Sequence, residues 1–223
     1  MKLATFLFGL IICTNSTFGQ DTTYNSVTQQ LLKIDELDQH YRNQIDFIET
    51  KYGRESKELK TLYNDMDLAD STNLIQVESI LKKYGWLGSD KIGSQANSTL
   101  FMVIQHSGLS TQEKYLPLIR DAVKNGNAKA KSLALLEDRV AIFQGKMQNY
   151  GSQIFWSKVT NKYFILPLAD PDNVDKRRAE VGLQPLSEYV SNWNIKWNAE
   201  EYKRDFPTIL TEWKTILNQL TLK

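Results

Sequence analysis

The sequence predicts a mainly α-helical domain with an N-terminal helical hairpin and one small β-hairpin. Apolar residues recur at helical spacing along most of the chain, a pattern typical of amphipathic helices. Sheet content is expected to be small, because one pair of short β-prone segments, residues 154–156 and 163–166, brackets a turn signal at Asn161-Lys162. The 223 residues suffice for one domain with an accessory hairpin.

The N-terminal segment, residues 1–20, reads as a secretory signal peptide. It has a basic Lys2, then an apolar segment at residues 3–13 that is too short to span a bilayer, and it ends in small residues suited to cleavage. Export to the periplasm or to the cell exterior is therefore expected. Lipidation at Cys13 is the alternative, but Ile12 is bulkier than the residue that lipoprotein signals place before their cysteine.

Composition narrows the possible function classes. Cys13 is the only cysteine, which excludes a disulfide framework and a thiolate metal site in the mature chain. Removing Lys2 with the leader reduces the 27 basic residues to match the 26 acidic ones, so no nucleic-acid or anionic-membrane partner is indicated. The sequence has no glycine-rich phosphate loop, nucleophile elbow or zinc-protease motif. With two histidines, no cofactor or metal is expected, although a carboxylate site for a hard cation stays open.

The predicted N-terminal hairpin covers residues 21–70. A seven-residue apolar pattern over residues 27–52, ended by Gly53, indicates one long helix, and a second helix is expected around residues 59–66. The core helical domain is then predicted over residues 71–192.

Further helices fill the core domain and the C-terminal end. Ser71 or Thr72 is suited to cap a short helix over residues 73–84, and an apolar run at residues 100–104 indicates a buried helix with His106 in its last turn. The remaining helices are expected over about residues 110–124, 132–143, 172–181 and 185–193, followed by an amphipathic helix within residues 193–223. That last helix either docks on the domain or binds a partner.

Two helices carry charge where the apolar pattern predicts burial. Asp38 occupies a seam position of the first helix, so either that helix is slightly rotated or Asp38 points into a polar pocket near Arg42. In the central helix of the core, apolar residues flank Glu137, Asp138 and Arg139. Because an unpaired buried ion costs on the order of several kcal/mol, each is expected to meet a partner from another segment. A structural ion-pair network and a functional site are both consistent with this pattern.

The candidate site collects these polar residues. His106, Asp138 and Arg139 are the candidate catalytic residues, with His106 as general acid or base and Arg139 stabilising negative charge. A histidine in the last turn of a helix is also consistent with capping or packing. The candidate ligand-binding residues are Asp38, Arg42, Gln148, Tyr150, Gln153 and Arg178.

Six motifs occur in one order along the chain. They are Asp38-Gln39-x-x-Arg42, Gly85-Trp86, Gln105-His106, Asp138-Arg139-Val140, Gly145-x-x-Gln148-x-Tyr150-Gly151-Ser152-Gln153, and Asp170-Pro171 with Val174-Asp175-x-Arg177-Arg178. This series resembles a family of uncharacterised bacterial proteins, catalogued as a domain of unknown function, over about residues 34–190. The resemblance implies a shared site and no established reaction. The chain departs from the usual pattern of that family in having Ser152 for Thr, Leu87 for Pro and no acid soon after His106.

Three functions are consistent with these features. The first is an exported protein that binds a small polar or anionic ligand in a buried polar pocket. The second is a metal-independent hydrolase or lyase that uses His106 as acid or base. The third is a structural or partner-binding protein in which the same residues form an ion-pair network. The sequence leaves the ligand and the oligomeric state open.

Overall fold

The computed structural model describes residues 24–157 and 160–221. Within them the chain is mainly helical, with one two-stranded antiparallel sheet, which confirms the predicted fold class. None of the described helices combines the length and the apolar character that a bilayer crossing requires. The predicted signal peptide and Cys13 lie outside the described residues, so cleavage and export stay predictions.

The N-terminal part consists of three helices: α1 (Asn25–Arg42), α2 (Ile45–Tyr52) and α3 (Lys57–Tyr84). The prediction of a single helix over residues 27–52 is wrong in one respect, because the chain turns between α1 and α2. The turn falls on Asn43 and Gln44, two polar residues that lie outside the apolar pattern. Gly53 ends α2 as predicted, with a φ of 89° that glycine adopts without strain.

α3 is one continuous helix of 28 residues, in place of the two that the sequence predicts. Ser56 caps its start, because its hydroxyl oxygen accepts the N–H of Leu59 at 3.2 Å. Ser71 and Thr72, the predicted caps of a second helix, instead donate their hydroxyls to main-chain carbonyls four residues earlier. Side chains bonded in this way leave the helix free to continue through them.

The main core lies between α1, α3 and the next three helices: α4 (Ser89–His106), α5 (Leu109–Lys124) and α6 (Ala130–Phe143). α4 bends at Gly93, whose φ is 78°. Pro117 lies inside α5, and the helix continues through it. Fully buried side chains contributed by the five helices meet at the centre: Leu31, Val77, Leu100, Ile119 and Leu136.

The rest of the described chain forms a smaller second layer. Its elements are β1 (Ile154–Ser157), β2 (Lys162–Ile165), α7 (Val174–Glu180), α8 (Leu186–Val190) and α9 (Ala199–Thr221), with 3₁₀ turns at Pro171–Asn173 and Ser191–Trp193. The two strands pair with Ile154 opposite Ile165. α9 docks through Trp213, which is 5% exposed and shares an apolar cluster with Ile142 and Leu166. Of the two alternatives for the C-terminal helix, the structure has the docked one.

Candidate functional site

Asp38 and His106 meet across the packed faces of α1 and α4. His106 Nδ1 lies 2.9 Å from Oδ1 of Asp38, which is 1% exposed. A carboxylate at Nδ1 orients the imidazole ring and favours the proton on that nitrogen. Among the described residues Nε2 of His106 has no hydrogen-bond partner, so this nitrogen is the one that a ligand or substrate can reach.

Arg42 joins this pair to α3. Its Nη1 lies 3.2 Å from Oδ1 of Asp38, and its two terminal nitrogens donate to the two carboxylate oxygens of Asp70 at 3.0 and 2.7 Å. The side chain of Gln39 donates to Oδ2 of Asp38 at 2.7 Å. Asp38 is therefore buried and fully bonded, which agrees with the inward-pointing alternative that the sequence raises for it.

The charges around Asp38 determine its protonation. Burial alone raises the pKa of Asp38, but the hydrogen bond and charge of His106, together with Arg42 and Gln39, outweigh burial and hold the pKa below its ordinary value. Asp38 is thus ionised at neutral pH. The cluster of Asp38, Arg42, Asp70 and His106 has a net charge close to zero when both ring nitrogens of His106 are protonated.

The same cluster has donor atoms that a metal ion could use. One ligand atom each from Asp38, Asp70 and His106 lies within 4.8 Å of the others. The guanidinium of Arg42, however, already binds both carboxylates, and a cation would have to displace it. The donor set is therefore better described as a closed ion-pair cluster than as a metal site.

Asp138 is bonded by main-chain groups rather than by a cation. It is 1% exposed on α6, and its carboxylate accepts the N–H groups of Asn149, Tyr150 and Ser152 at 2.7, 3.0 and 3.0 Å. Burial raises the pKa of Asp138, and these N–H groups oppose the rise. Asp138 therefore holds the loop between α6 and β1 in place.

Gln148 fixes the same loop from the other side. Its side-chain amide donates to the carbonyls of Leu166 and Gln153 at 2.8 and 3.1 Å, and its oxygen accepts the N–H of Gln153 at 2.7 Å. It is fully buried. All of these partners are main-chain groups, so Gln148 contributes to the shape of the loop. Its predicted ligand-binding role stays a prediction.

Arg178 of α7 completes this network. It is 1% exposed and donates to the carbonyls of Tyr150 and Gln184 at 2.5 and 2.6 Å. Its guanidinium also lies 4.9 Å from the centre of the Tyr189 ring, within the range of a cation–π contact. Tyr189 in turn donates its hydroxyl to the carbonyl of Ser152 at 2.9 Å. Two of the guanidinium nitrogens of this buried cation thus donate to main-chain carbonyls of the protein itself.

Arg139 differs from all of these residues. It is partly buried on α6, and its Nε is buried without a hydrogen-bond partner. Within residues 24–157 and 160–221, no carboxylate forms an ion pair with it. Burial lowers the pKa of Arg139, the phenol of Tyr189 opposes this, and the like charge of Arg42 adds to it. A guanidinium remains protonated at neutral pH all the same, so Arg139 is a partly buried cation without an ion-pair partner among the described residues.

Two concavities adjoin Arg139. The first, the His106–Arg139 cavity, has a volume of about 450 Å³ and is also lined by Ser107, Gly108, Leu109, Phe143 and Leu217. The second, the apolar cavity, has about 410 Å³ and a lining dominated by Ile142, Phe155, Leu166, Trp213, Ile216 and Leu217. Gln153 is its second polar lining residue beside Arg139. Both volumes lie within the roughly 300–1,000 Å³ of small-molecule sites.

The predicted site residues therefore separate into two groups. Asp38, Arg42 and His106 form one cluster, and His106 shares a cavity with Arg139, which adjoins Gln153 in the next cavity. The other group holds the loop between α6 and β1 through main-chain contacts and consists of Asp138, Gln148, Tyr150 and Arg178. The separation was not visible in the sequence.

Asp70 is a site residue that the sequence analysis missed. A signal for it existed, since residues about equally far from a turn face each other in an antiparallel hairpin. The turn near Gly53 would place α1 residues such as Arg42 opposite residues in the vicinity of Asp70. The apolar lining from α9 was foreseen only as an amphipathic face, without its connection to Arg139.

Comparison with known proteins places the chain in a family but not in a functional class. A family model described as "Family of unknown function (DUF6624)" matches residues 25–198. No curated protein matches the chain. No solved structure matches it either. The matched range includes Asp38, His106 and Arg139 and stops just before α9.

Proposed function

The chain belongs to the DUF6624 family, and we propose that it binds a small molecule through an anionic group, with Arg139 as the anchor. The observation that carries the proposal is the state of Arg139: an enclosed guanidinium beside two cavities, with an unpartnered Nε and no acidic partner among the described residues. The family match supplies no activity, so the argument depends on the chemistry of these residues.

The free-energy cost of burying a charge favours the binding of an anionic ligand at Arg139. A charged group taken out of water costs free energy unless hydrogen bonds or an opposite charge compensate it. The buried Arg178 follows this rule with two main-chain carbonyls. Arg139 has no such partner among the described residues, and its planar fork of N–H donors matches a carboxylate or phosphate in a bidentate arrangement.

The position of His106 supports the binding of an anion between His106 and Arg139. It lines the same cavity as Arg139, and its Nε2 is free of partners within the described chain. When the ring is doubly protonated, Nδ1–H donates to Asp38 and Nε2–H can donate a second hydrogen bond to an anion held by Arg139. Asp38 keeps the ring in place for this contact.

Acid–base catalysis is the second candidate function, and the Asp38–His106 hydrogen bond is the observation that favours it. A carboxylate that orients a histidine toward a cavity is a common arrangement for a general acid or base. In a hydrolase or lyase of this kind, Arg139 would stabilise the charge that develops on the substrate. His106→Asn would then abolish turnover while leaving anion binding within a few fold of the wild type.

Thermal unfolding in the presence of inorganic phosphate tests the binding proposal. At ten times its Kd, phosphate should stabilise the protein by about 1.4 kcal/mol and raise Tm by roughly 3–5 °C. Arg139→Gln should remove this response. Arg120→Gln is the matched control, because Arg120 is a 54% exposed cation on the neighbouring α5 and pairs with Glu137.

The control also corrects for the general salting-out effect of phosphate, which stabilises most folded proteins. Potassium chloride at equal ionic strength provides the second reference. An equal rise of Tm in wild type and Arg139→Gln would contradict the proposal. A rise that persists in Arg120→Gln and disappears in Arg139→Gln would support it.

We further propose that the protein is exported, on the basis of the signal-like residues 1–20. The mass of the protein recovered from an expressing bacterium should correspond to a chain that begins at or just after Gln20. Recovery of the intact N-terminus from the cytoplasmic fraction would contradict this. A mass increase by a lipid group on Cys13 would instead support the lipoprotein alternative.

A further inference from the structure

We propose that the ligand is an amphiphile, with its anionic group on Arg139 and an apolar tail in the apolar cavity between α6, the β-hairpin and α9. The inference rests on the proposed function and names the class of molecule that this function concerns. Fatty acids and other molecules that carry an acyl or alkyl tail on an anionic head group belong to this class.

The lining of the apolar cavity carries the first part of the argument. Side chains from three separate parts of the fold build it: Ile142 from α6, Phe155 and Leu166 from the β-hairpin region, and Ile216 from α9. At about 410 Å³ it is large enough for a small molecule. Water in such a space finds few hydrogen-bond partners, whereas a hydrocarbon chain gains from leaving solution.

The position of Arg139 carries the second part. It lines both cavities, so its charge lies between the His106–Arg139 cavity and the apolar cavity. A small hydrophilic anion would pair with Arg139 but leave the apolar walls wet. A neutral hydrocarbon would fill the walls but leave an enclosed cation unpaired. A molecule with one anionic end and one apolar end satisfies both requirements.

Trp213 provides a separate observation. It is 5% exposed and lines the apolar cavity, and its indole Nε1 is buried without a hydrogen-bond partner among the described residues. Buried indole N–H groups usually find an acceptor. An oxygen on the ligand, in the head group or in an ester or amide next to it, can supply that acceptor.

Isothermal titration with acetate, hexanoate and decanoate, each kept below its micelle concentration, tests the inference. Each methylene that enters the apolar cavity should tighten binding roughly three- to four-fold. Decanoate should therefore bind at least ten-fold more tightly than hexanoate. n-Decanol, with the same tail and no charge, should bind at least ten-fold more weakly than decanoate.

Two variants of α9 locate the tail. Ile216→Trp fills the apolar cavity and should weaken decanoate binding at least ten-fold. Ile209→Trp is the matched control, because Ile209 lies on the same helix but packs on the cluster around Leu168 and Leu186. It should bind decanoate as the wild type does, and a cooperative thermal unfolding transition confirms that each variant is folded.

The outcomes separate this inference from the proposed function. If phosphate binds through Arg139 but affinity does not rise from acetate to decanoate, the amphiphile inference is overturned and the binding proposal stands. If decanol binds as tightly as decanoate and Arg139→Gln changes neither, both fail. Equal loss of decanoate binding in Ile216→Trp and Ile209→Trp would also overturn the assignment of the tail to this cavity.

Discussion

Asp138 and Arg139 are neighbours on α6, yet their charged groups lie in opposite environments. Three main-chain N–H groups of the following loop surround the carboxylate of Asp138. The guanidinium of Arg139 has an unpartnered Nε and no described carboxylate as an ion-pair partner, and it adjoins two cavities. A buried charge whose hydrogen bonds the chain itself supplies is part of the architecture, whereas one without a described partner is available for a ligand.

Arg178 extends this comparison to two cations. Both Arg139 and Arg178 lie in the environment of Tyr189, and burial lowers the pKa of each. Arg178 donates hydrogen bonds to the carbonyls of Tyr150 and Gln184, so it stabilises the loop between α6 and β1. The absence of described protein partners, rather than burial itself, is what distinguishes the binding candidate.

The largest expected effect concerns Asp138. Asp138→Ala leaves the buried N–H groups of Asn149, Tyr150 and Ser152 without an acceptor, and it should lower the free energy of unfolding by about 3–5 kcal/mol. Urea denaturation measures this change. Asp138→Asn keeps one oxygen acceptor and should lose less. A loss below about 1 kcal/mol for Asp138→Ala would contradict the structural role assigned to this carboxylate.

Asp38→Asn should have a smaller effect that depends on pH. The pKa of Asp38 in the folded protein lies below its ordinary value of 3.8, so the unfolded chain binds more protons near that pH. The stabilisation by ionised Asp38 is thus fully present well above pH 3.8 and is lost as pH falls through the folded-state pKa. At neutral pH we expect a loss of about 2 kcal/mol in the free energy of unfolding.

The measurement is urea denaturation of wild type and Asp38→Asn at a series of pH values from 7 down to the acid limit of folding. The difference between the two proteins should shrink as the pH drops below about 4. A difference that stays constant through this range would show that the charge of Asp38 does not stabilise the cluster with Arg42 and His106.

The smallest effect has the opposite sign. Arg139→Met replaces a partly buried cation that has no ion-pair partner in the described part of the chain by an apolar side chain, so the unliganded protein should gain about 1 kcal/mol of stability. Thermal unfolding measures the gain, and Arg120→Gln on the exposed surface should stay within about 0.5 kcal/mol of the wild type. A clear loss of stability in Arg139→Met would mean that Arg139 has structural partners, and the contrast with Asp138 would disappear.

Much of the helical fold followed from local patterns, and the errors show where those patterns stop. The sequence split α3 at Ser71 and Thr72, because hydroxyl residues are good caps, but the same hydroxyls can bond back along a helix. The sequence also predicted α1 and α2 as one helix, because the apolar periodicity continues across Asn43 and Gln44. At both places the local pattern is compatible with either outcome, so it did not decide between them.

The candidate site was predicted in part. Asp38 stood out as an acid in an apolar seam, and the structure does pair it with His106 and Arg42. The expectation that Asp138 meets a distant partner is correct in substance, but that partner is main-chain amide, which no sequence motif displays. For Arg139 the same expectation is wrong within the described residues.

By itself the sequence determined the helical class, the position of the β-hairpin and the residues whose charge conflicts with their apolar neighbours. These features depend on the order of residues within one or two turns of helix or one strand. Only the tertiary structure decided which charges meet and which remain unpaired. That outcome depends on contacts such as the one between Asp38 and His106, 68 residues apart, and on loop amides whose direction is fixed only after the helices have packed.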